Sequence, residues 1–231
     1  MDERNDALPR ELTEYRENPG PQTLLPIINR GSNSLRRSLI EAYRDRPHWR
    51  IAQHLALAWA NRLGDGSMAP DFMRAAYFAH LACLLSDEHP WARFVRASIY
   101  WERRLTYLVL DDATKAADDV ARLDDPAQAQ FFLGQVDSLR LCALAYGGRV
   151  PEAVALCEEM CLRGAPPTDE ALLQCFISTR PGEPELHHQA AMLSAQGSRI
   201  FGQRPLGLLT RALRAALLRA LAARGVTNAG A

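Results

Sequence analysis

"LALAWANRLGDGSMAPDFMRAAYFAHLACLLSDEHPWA", Leu55 to Ala92, decides the fold. It reads as a helical run, a glycine-rich break, a second helical run and a closing proline. In the second run Phe72, Ala76, Ala79 and Cys83 recur at helical spacing, the apolar stripe that lets a helix pack on a neighbour. Glycine costs a helix interior about 1 kcal/mol relative to alanine, so LGDGS at 63–67 marks the break. Pro90 has no amide proton and suits only the first turn of a helix, so it stops one helix and opens the next. The stretch is therefore expected to form an antiparallel helical hairpin.

Working outward, prolines in the same setting stand at Pro47, Pro90, Pro126, Pro166 and Pro205, with gaps of 43, 36, 40 and 39 residues. A period in this range is the signature of stacked helical units. Glycine-rich breaks at YGGR (146–149) and RPGEP (180–184) divide further units into two helices. The unit that includes 111–125 has no such glycine, and Asp111–Asp112 is read there as the N-cap. Apolar stripes follow the same plan: Phe94, Ala97, Trp101 and Leu105, then Phe132, Val136, Leu139, Ala143 and Tyr146. No stretch alternates with period two for long enough to be a strand. The pattern predicts helices over 34–45, 48–63, 70–86, 91–108, 112–123, 127–146, 151–163, 168–178, 184–197 and 205–223.

At this point the chain resembles a known class. Leu55 to Ala92 is similar to a tetratricopeptide-type hairpin, with small residues at the helix crossing and a proline closing the unit. "GRVPEAVALCEEMCLRGAPP" resembles the second half of a tetratricopeptide or pentatricopeptide unit, with a turn glycine, the small Ala153 and a closing glycine and proline. The resemblance implies an all-α fold of antiparallel hairpins stacked as a short α-solenoid, with degenerate repeats over 34–204. Asp137 and Arg140 depart from it, standing where such units carry apolar residues. Pentatricopeptide proteins read RNA with regular units on a basic surface, and this irregular chain, with formal net charge zero, does not carry that function, so no nucleic-acid partner is expected.

Composition narrows the class further. A chain of 231 residues with 48% hydrophobic content is long enough for one core or a short array. The first twenty residues mix charges of both signs where a secretory signal needs an apolar run, and no stretch approaches the roughly 20 apolar residues of a membrane span. Five cysteines spread through helical segments read as reduced thiols, which with the N-terminus places the protein in the cytoplasm. Lys115 is the only lysine, a bias that a GC-rich genome accounts for. Residues 1–33, rich in proline and charge, are read either as a disordered arm or as a segment wrapping the array.

Four groups of residues resemble metal chemistry. His80 with Cys83, and Cys157 with Cys161, each place two potential ligands on one helical face, but a structural zinc site takes four and cysteine also packs as a small hydrophobe. Glu185 and His188 give a single Glu-x-x-His, where di-iron bundles need two such pairs and two further carboxylates. In DDATKAADDVARLDD (111–125), Asp111 and Asp118 share a face, yet no second metal motif accompanies them, and a solvated face is the reading taken. Nucleophile, P-loop and dinucleotide motifs are absent, so no catalytic residue, cofactor or metal is assigned. A metal-dependent helical enzyme using one of these clusters stays open as the alternative.

The C-terminal region 205–231 carries Leu206, Leu209, Leu213, Leu217 and Leu221 on one face of a helix, with Arg211, Arg214 and Arg219 on the other. That pattern suits a solenoid cap and also an anionic membrane surface or a docking partner, so a peripheral scaffold is a second alternative. Its arginines also match the acidic 111–125 segment of another copy, which keeps a homo-oligomer open. The expected function is to bind another protein, as adaptor, chaperone or regulatory subunit, in a concave groove lined by first helices. By the resemblance, Gln135, Ser138 and Cys142 face that groove. Arg93, Arg96 and Arg103 lie on or near an earlier first helix and are read either as holding a partner's carboxylates or as solvated surface.

Overall fold

A computed structural model describes residues 3–29 and 31–149 and, beyond them, 152, 153, 155, 156, 159, 160 and 163. Among the described residues the chain is all-helical: α1 Glu3–Glu17, α2 Pro21–Ile28, α3 Ser32–Asp45, α4 Trp49–Trp59, α5 Phe72–Leu85, α6 Pro90–Glu102, α7 Thr106–Asp118 and α8 Pro126–Tyr146, with one 3₁₀ turn at Asp119–Arg122. None of them is long and apolar enough to cross a membrane. The chain divides into two compact units, Met1–Arg103 and Arg104–Ala231.

The proline-and-cap punctuation operates as its chemistry requires. Pro90 and Pro126 occupy the first turns of α6 and α8, behind His89 and Asp125, whose side chains accept from the amides of Trp91 and Ala127. Asp71 caps α5 by accepting from Arg74, and His48 caps α4 by accepting from Arg50. Each cap satisfies one of the amide donors that a helix start leaves without an intrahelical acceptor.

In the first unit α4 packs against α3, α5 and α6. The α4–α5–α6 contacts are built from small residues: Ala56, Ala75 and Ala79 lie with Val95 and Ile99, and Ala52, Ala82 and Cys83 lie with Ala92. Residues of this size let helices approach to the short end of the usual 8–10 Å interaxial range. A larger-residue core of Leu12, Tyr15, Leu24, Ile27, Leu35, Leu39, Ile51 and Leu55 closes the other side of α4.

That core takes in part of 1–33, the segment read either as a disordered arm or as a wrap around the array. Described from residue 3, the segment forms α1 and α2, and it supplies four buried side chains to the core. Tyr15 also reaches His54 of α4, its hydroxyl 2.7 Å from Nδ1.

One correction concerns 91–108. The helix stops at Glu102, Arg104 takes a left-handed φ of 54°, and a new helix starts at Thr106. Asp111 and Asp112 therefore sit inside α7 and not at its N-cap, which is Leu105. α7 ends at Asp118 and passes through the 3₁₀ turn to α8, so the helix predicted over 112–123 starts and ends earlier. In the second unit α7 packs on α8 through Val109, Ala113 and Ala116, against an α8 core that includes Phe132, Val136 and Leu141. The predicted helices at 168–178, 184–197 and 205–223 lie outside the described residues.

Candidate functional site

The loop between α4 and α5 builds the most distinctive surface of the first unit. Its middle is anchored on the start of α3: the Ser32 hydroxyl and an Asp65 carboxylate oxygen are 2.5 Å apart, and Asp65 also accepts from the Ser67 amide at 2.9 Å. Hydrogen bonds from Ser32 and Ser67 hold the Asp65 carboxyl well below the usual carboxylate range. Gly64 makes this approach at φ 94°, where an added Cβ would lie 2.5 Å from Ser32 Oγ and 3.2 Å from Ser32 Cα. Gly64→Ala is therefore expected to cost about 2 kcal/mol from left-handed strain and the clash, read as a lowered denaturation midpoint at unchanged m-value.

The ends of the loop are joined by the Asp71 amide donating to the Trp59 carbonyl at 2.8 Å. Arg36, almost fully buried, fastens both sides: Nε donates to the Ala58 carbonyl at 3.1 Å and Nη2 to the Ala69 carbonyl at 3.2 Å. Burial pulls the Arg36 guanidinium pKa down, Asp71 opposes that, and Arg74 adds to it. Arg36 and Arg74 each lie 4.5 Å from the centroid of the Trp59 ring, a cation–π arrangement.

Beside this framework lies an open cleft of about 640 Å³, lined by Trp59, Ala69, Pro70, Asp71, Phe72, Met73 and Arg103. The Arg103 guanidinium sits 5.1 Å over the Phe72 ring, and no carboxylate of the described residues pairs with it. Asp71 is already committed as the α5 cap and lies 3.4 Å from Arg74. The Trp59 indole nitrogen is buried without a hydrogen-bond partner among the described residues. The cleft thus offers two aromatic rings, and the three arginines around it outnumber its single acid.

Met73 belongs to the cleft and also begins a stripe. Met73, Tyr77 and Leu84 are 75%, 61% and 72% exposed, and with His80 they fall at i, i+4, i+11 and i+7. At 100° per residue they share the face of α5 opposite Ala75, Ala79 and Ala82. α5 is consequently apolar on two faces, one packed and one open to solvent. His80 is held on this face by the Tyr100 hydroxyl, 2.6 Å from Nε2, with Arg96 3.5 Å from Nδ1. Both ring nitrogens face these neighbours, while Cys83, one turn on, is buried in the small-residue seam with Ala52, Ala82 and Ala92.

The residues assigned to partner binding are distributed differently from that expectation. Arg93 and Arg96 both pair with Glu88, at 3.5 and 3.0 Å, and Arg93 donates to the Glu88 carbonyl. Neither guanidinium is presented to solvent without an acid. Arg103 borders the open cleft beside Trp59 and Phe72. Ser138 and Cys142, expected to face a groove, are buried in α8, and Gln135 is half-buried. They follow the apolar stripe of α8 too closely: that helix is covered on nearly every side from Leu141 to Ala145.

Asp111 is exposed and bonds Lys115 at 2.7 Å, Asp112 is buried on the packing face of α7, and Asp119 pairs with Arg122. Among the described residues no three His, Cys, Asp or Glu side chains are grouped to hold a metal ion. Cys157, Cys161, Glu185, His188, Arg211, Arg214 and Arg219 lie outside the described residues. Met73 and Tyr77 carry one sequence signal, as apolar positions of α5 outside the stripe of Phe72, Ala76, Ala79 and Cys83, whereas Trp59 ends α4. No protein-family model, no curated protein and no solved structure matches the chain.

Proposed function

We propose that this chain is a protein-binding module of stacked, tetratricopeptide-like hairpins, acting as an adaptor, chaperone or regulatory subunit, and that it receives its partner on the outer face of α5. The observation that carries this reading is the solvent-exposed stripe of Met73, Tyr77 and Leu84 running into the Trp59–Phe72 cleft. Large apolar side chains gathered on one face cost free energy in water and mark surfaces that a partner covers. A helix apolar all round belongs in an interior, and α5 meets that condition only when its second face is also buried. The small-residue seams of α4, α5 and α6 support the hairpin reading, as do the prolines that open α6 and α8. The surface lies on the second helix of its hairpin, where the sequence pattern pointed to first helices.

The test compares complexes captured from the native host by wild-type protein and by Tyr77→Asp, using native mass spectrometry. A charge at a position 61% exposed is expected to leave the thermal midpoint within about 1 °C while removing the bound polypeptide. A polypeptide that stays bound to Tyr77→Asp places the partner surface elsewhere and rejects the α5 face.

A further inference from the structure

The two ends of the α5 stripe differ electrically, and that difference identifies what docks there. At the N-terminal end Arg36, Arg74 and Arg103 surround a single carboxylate, Asp71, which is already used as the helix cap. The positive end of the α5 dipole adds to the same field. At the C-terminal end Arg93 and Arg96 are matched by Glu88, with Asp87 beside it. From Met73 to Leu84 the stripe extends about 17 Å at the helical rise, the length of three turns of a second helix laid along it.

Resting on the docking role of α5, we propose that the occupant is an amphipathic helix of a partner protein, carrying a carboxylate at the end that lies over the Trp59–Phe72 cleft, where Arg103 receives it. The apolar ridge of such a helix, repeating at i, i+4 and i+7, meets Met73, Tyr77 and Leu84. Its carboxylate gains a charge-assisted hydrogen bond from a guanidinium that no acid of the described residues occupies. Single-stranded nucleic acid also seeks arginine and aromatic rings, but it needs ring faces for its bases. Here Trp59 already lies under Arg36 and Arg74, and Phe72 lies under Arg103. The continuation of the surface into Met73 and Leu84 likewise favours side chains of a protein over phosphates.

The experiment uses the full chain and two synthetic amphipathic helices of about four turns, identical except that one ends in a Glu pair and the other in a Lys pair. Affinity is read by fluorescence anisotropy, and the site by the shift of the Trp59 indole N–H resonance. The Glu-ended peptide is expected to bind at least 10-fold more tightly than the Lys-ended one and to shift Trp59. Arg103→Glu is expected to reverse that order, Arg103→Lys to keep part of it, and Tyr77→Asp to weaken both peptides alike. Circular dichroism melts of each variant confirm that it is folded.

If Arg103→Glu leaves the ratio unchanged while Tyr77→Asp weakens both peptides, the carboxylate assignment falls and the docking face stands. If Tyr77→Asp changes nothing, or neither peptide binds, the docking face falls as well. A Trp59 shift produced by a uridine oligomer or by phosphatidylserine vesicles in place of the peptides overturns the proposal. So does a concentration-dependent dimer that Tyr77→Asp abolishes, which would make a second copy the occupant.

Discussion

Removing both Arg140 and Arg163, as Arg140→Met with Arg163→Met, is expected to destabilise the second unit by about 3–5 kcal/mol, more than the loss of their common partner. That partner is Asp137 on α8, 1% exposed, which accepts from Arg140 at 2.8 Å and from Arg163 at 2.6 Å. The two arginine side chains are 27% and 33% exposed. The asymmetry in burial sets the asymmetry in cost. When Asp137 is replaced by Ala, the arginines turn toward water and recover part of their hydration, and the expected loss is about 2 kcal/mol. When the arginines go, the carboxylate stays in the core with no cation and must either remain charged in a poor solvent or take up a proton. A triple variant that also carries Asp137→Leu is expected to regain most of the loss, because an apolar side chain needs no partner there. Urea melts of the four proteins check this, and equal losses for the acid and base deletions would show that the cluster is not coupled through the buried carboxylate.

This same cluster shows what the sequence pattern conveyed and where it stopped. Asp137 and Arg140 read as interruptions of an apolar register, and they are interruptions, but the chain repairs them by pairing an acid and a base three residues apart. Pro90 and Pro126 could be placed at helix starts because a missing amide proton acts locally, whatever the rest of the chain does. The break at Arg103–Leu105 had no such marker, since Arg104 adopts its left-handed φ without glycine or proline nearby. The α5 surface was hidden for another reason. Periodicity reveals that a helix has an apolar face, but α5 has two, and only packing determines that the alanine face turns inward. Arg93 and Arg96 share this limit: their pairing with Glu88, at the end of the α5–α6 turn, is a tertiary outcome. Composition could not decide between arm and wrap for 1–33, because charges flank Leu12 and Tyr15 and prolines flank Leu24 and Ile27, four side chains that enter the core.

Acidification from pH 7 to pH 4 is expected to lower the stability of the first unit by about 3 kcal/mol through one side chain, His54. Burial is the largest cause holding its imidazole at about 4, below its ordinary 6.5, with Arg50 and His48 adding positive charge nearby. A histidine whose folded pKa is depressed favours folding while it is neutral. Its contribution is complete above pH 6.5 and is withdrawn as the pH falls from there toward 4, where the unfolded chain binds a proton that the folded chain refuses. His48 is shifted the same way, first by burial and then by Arg50 and Arg46, so it adds a smaller loss in the same window. The depressed carboxyls Asp65 and Glu152 act lower, losing their contribution only as the pH falls below the ordinary carboxylate range. His54→Asn isolates the effect, because an amide oxygen keeps an acceptor for Tyr15, whose hydroxyl burial holds far above its usual titration. Thermal midpoints between pH 7 and pH 4 are expected to fall steeply in wild type and to flatten in His54→Asn. In hydrogen exchange, α1 is expected to lose protection first, since Tyr15 is its bond to α4. Parallel curves for the two proteins would mean that His54 does not govern the acid response.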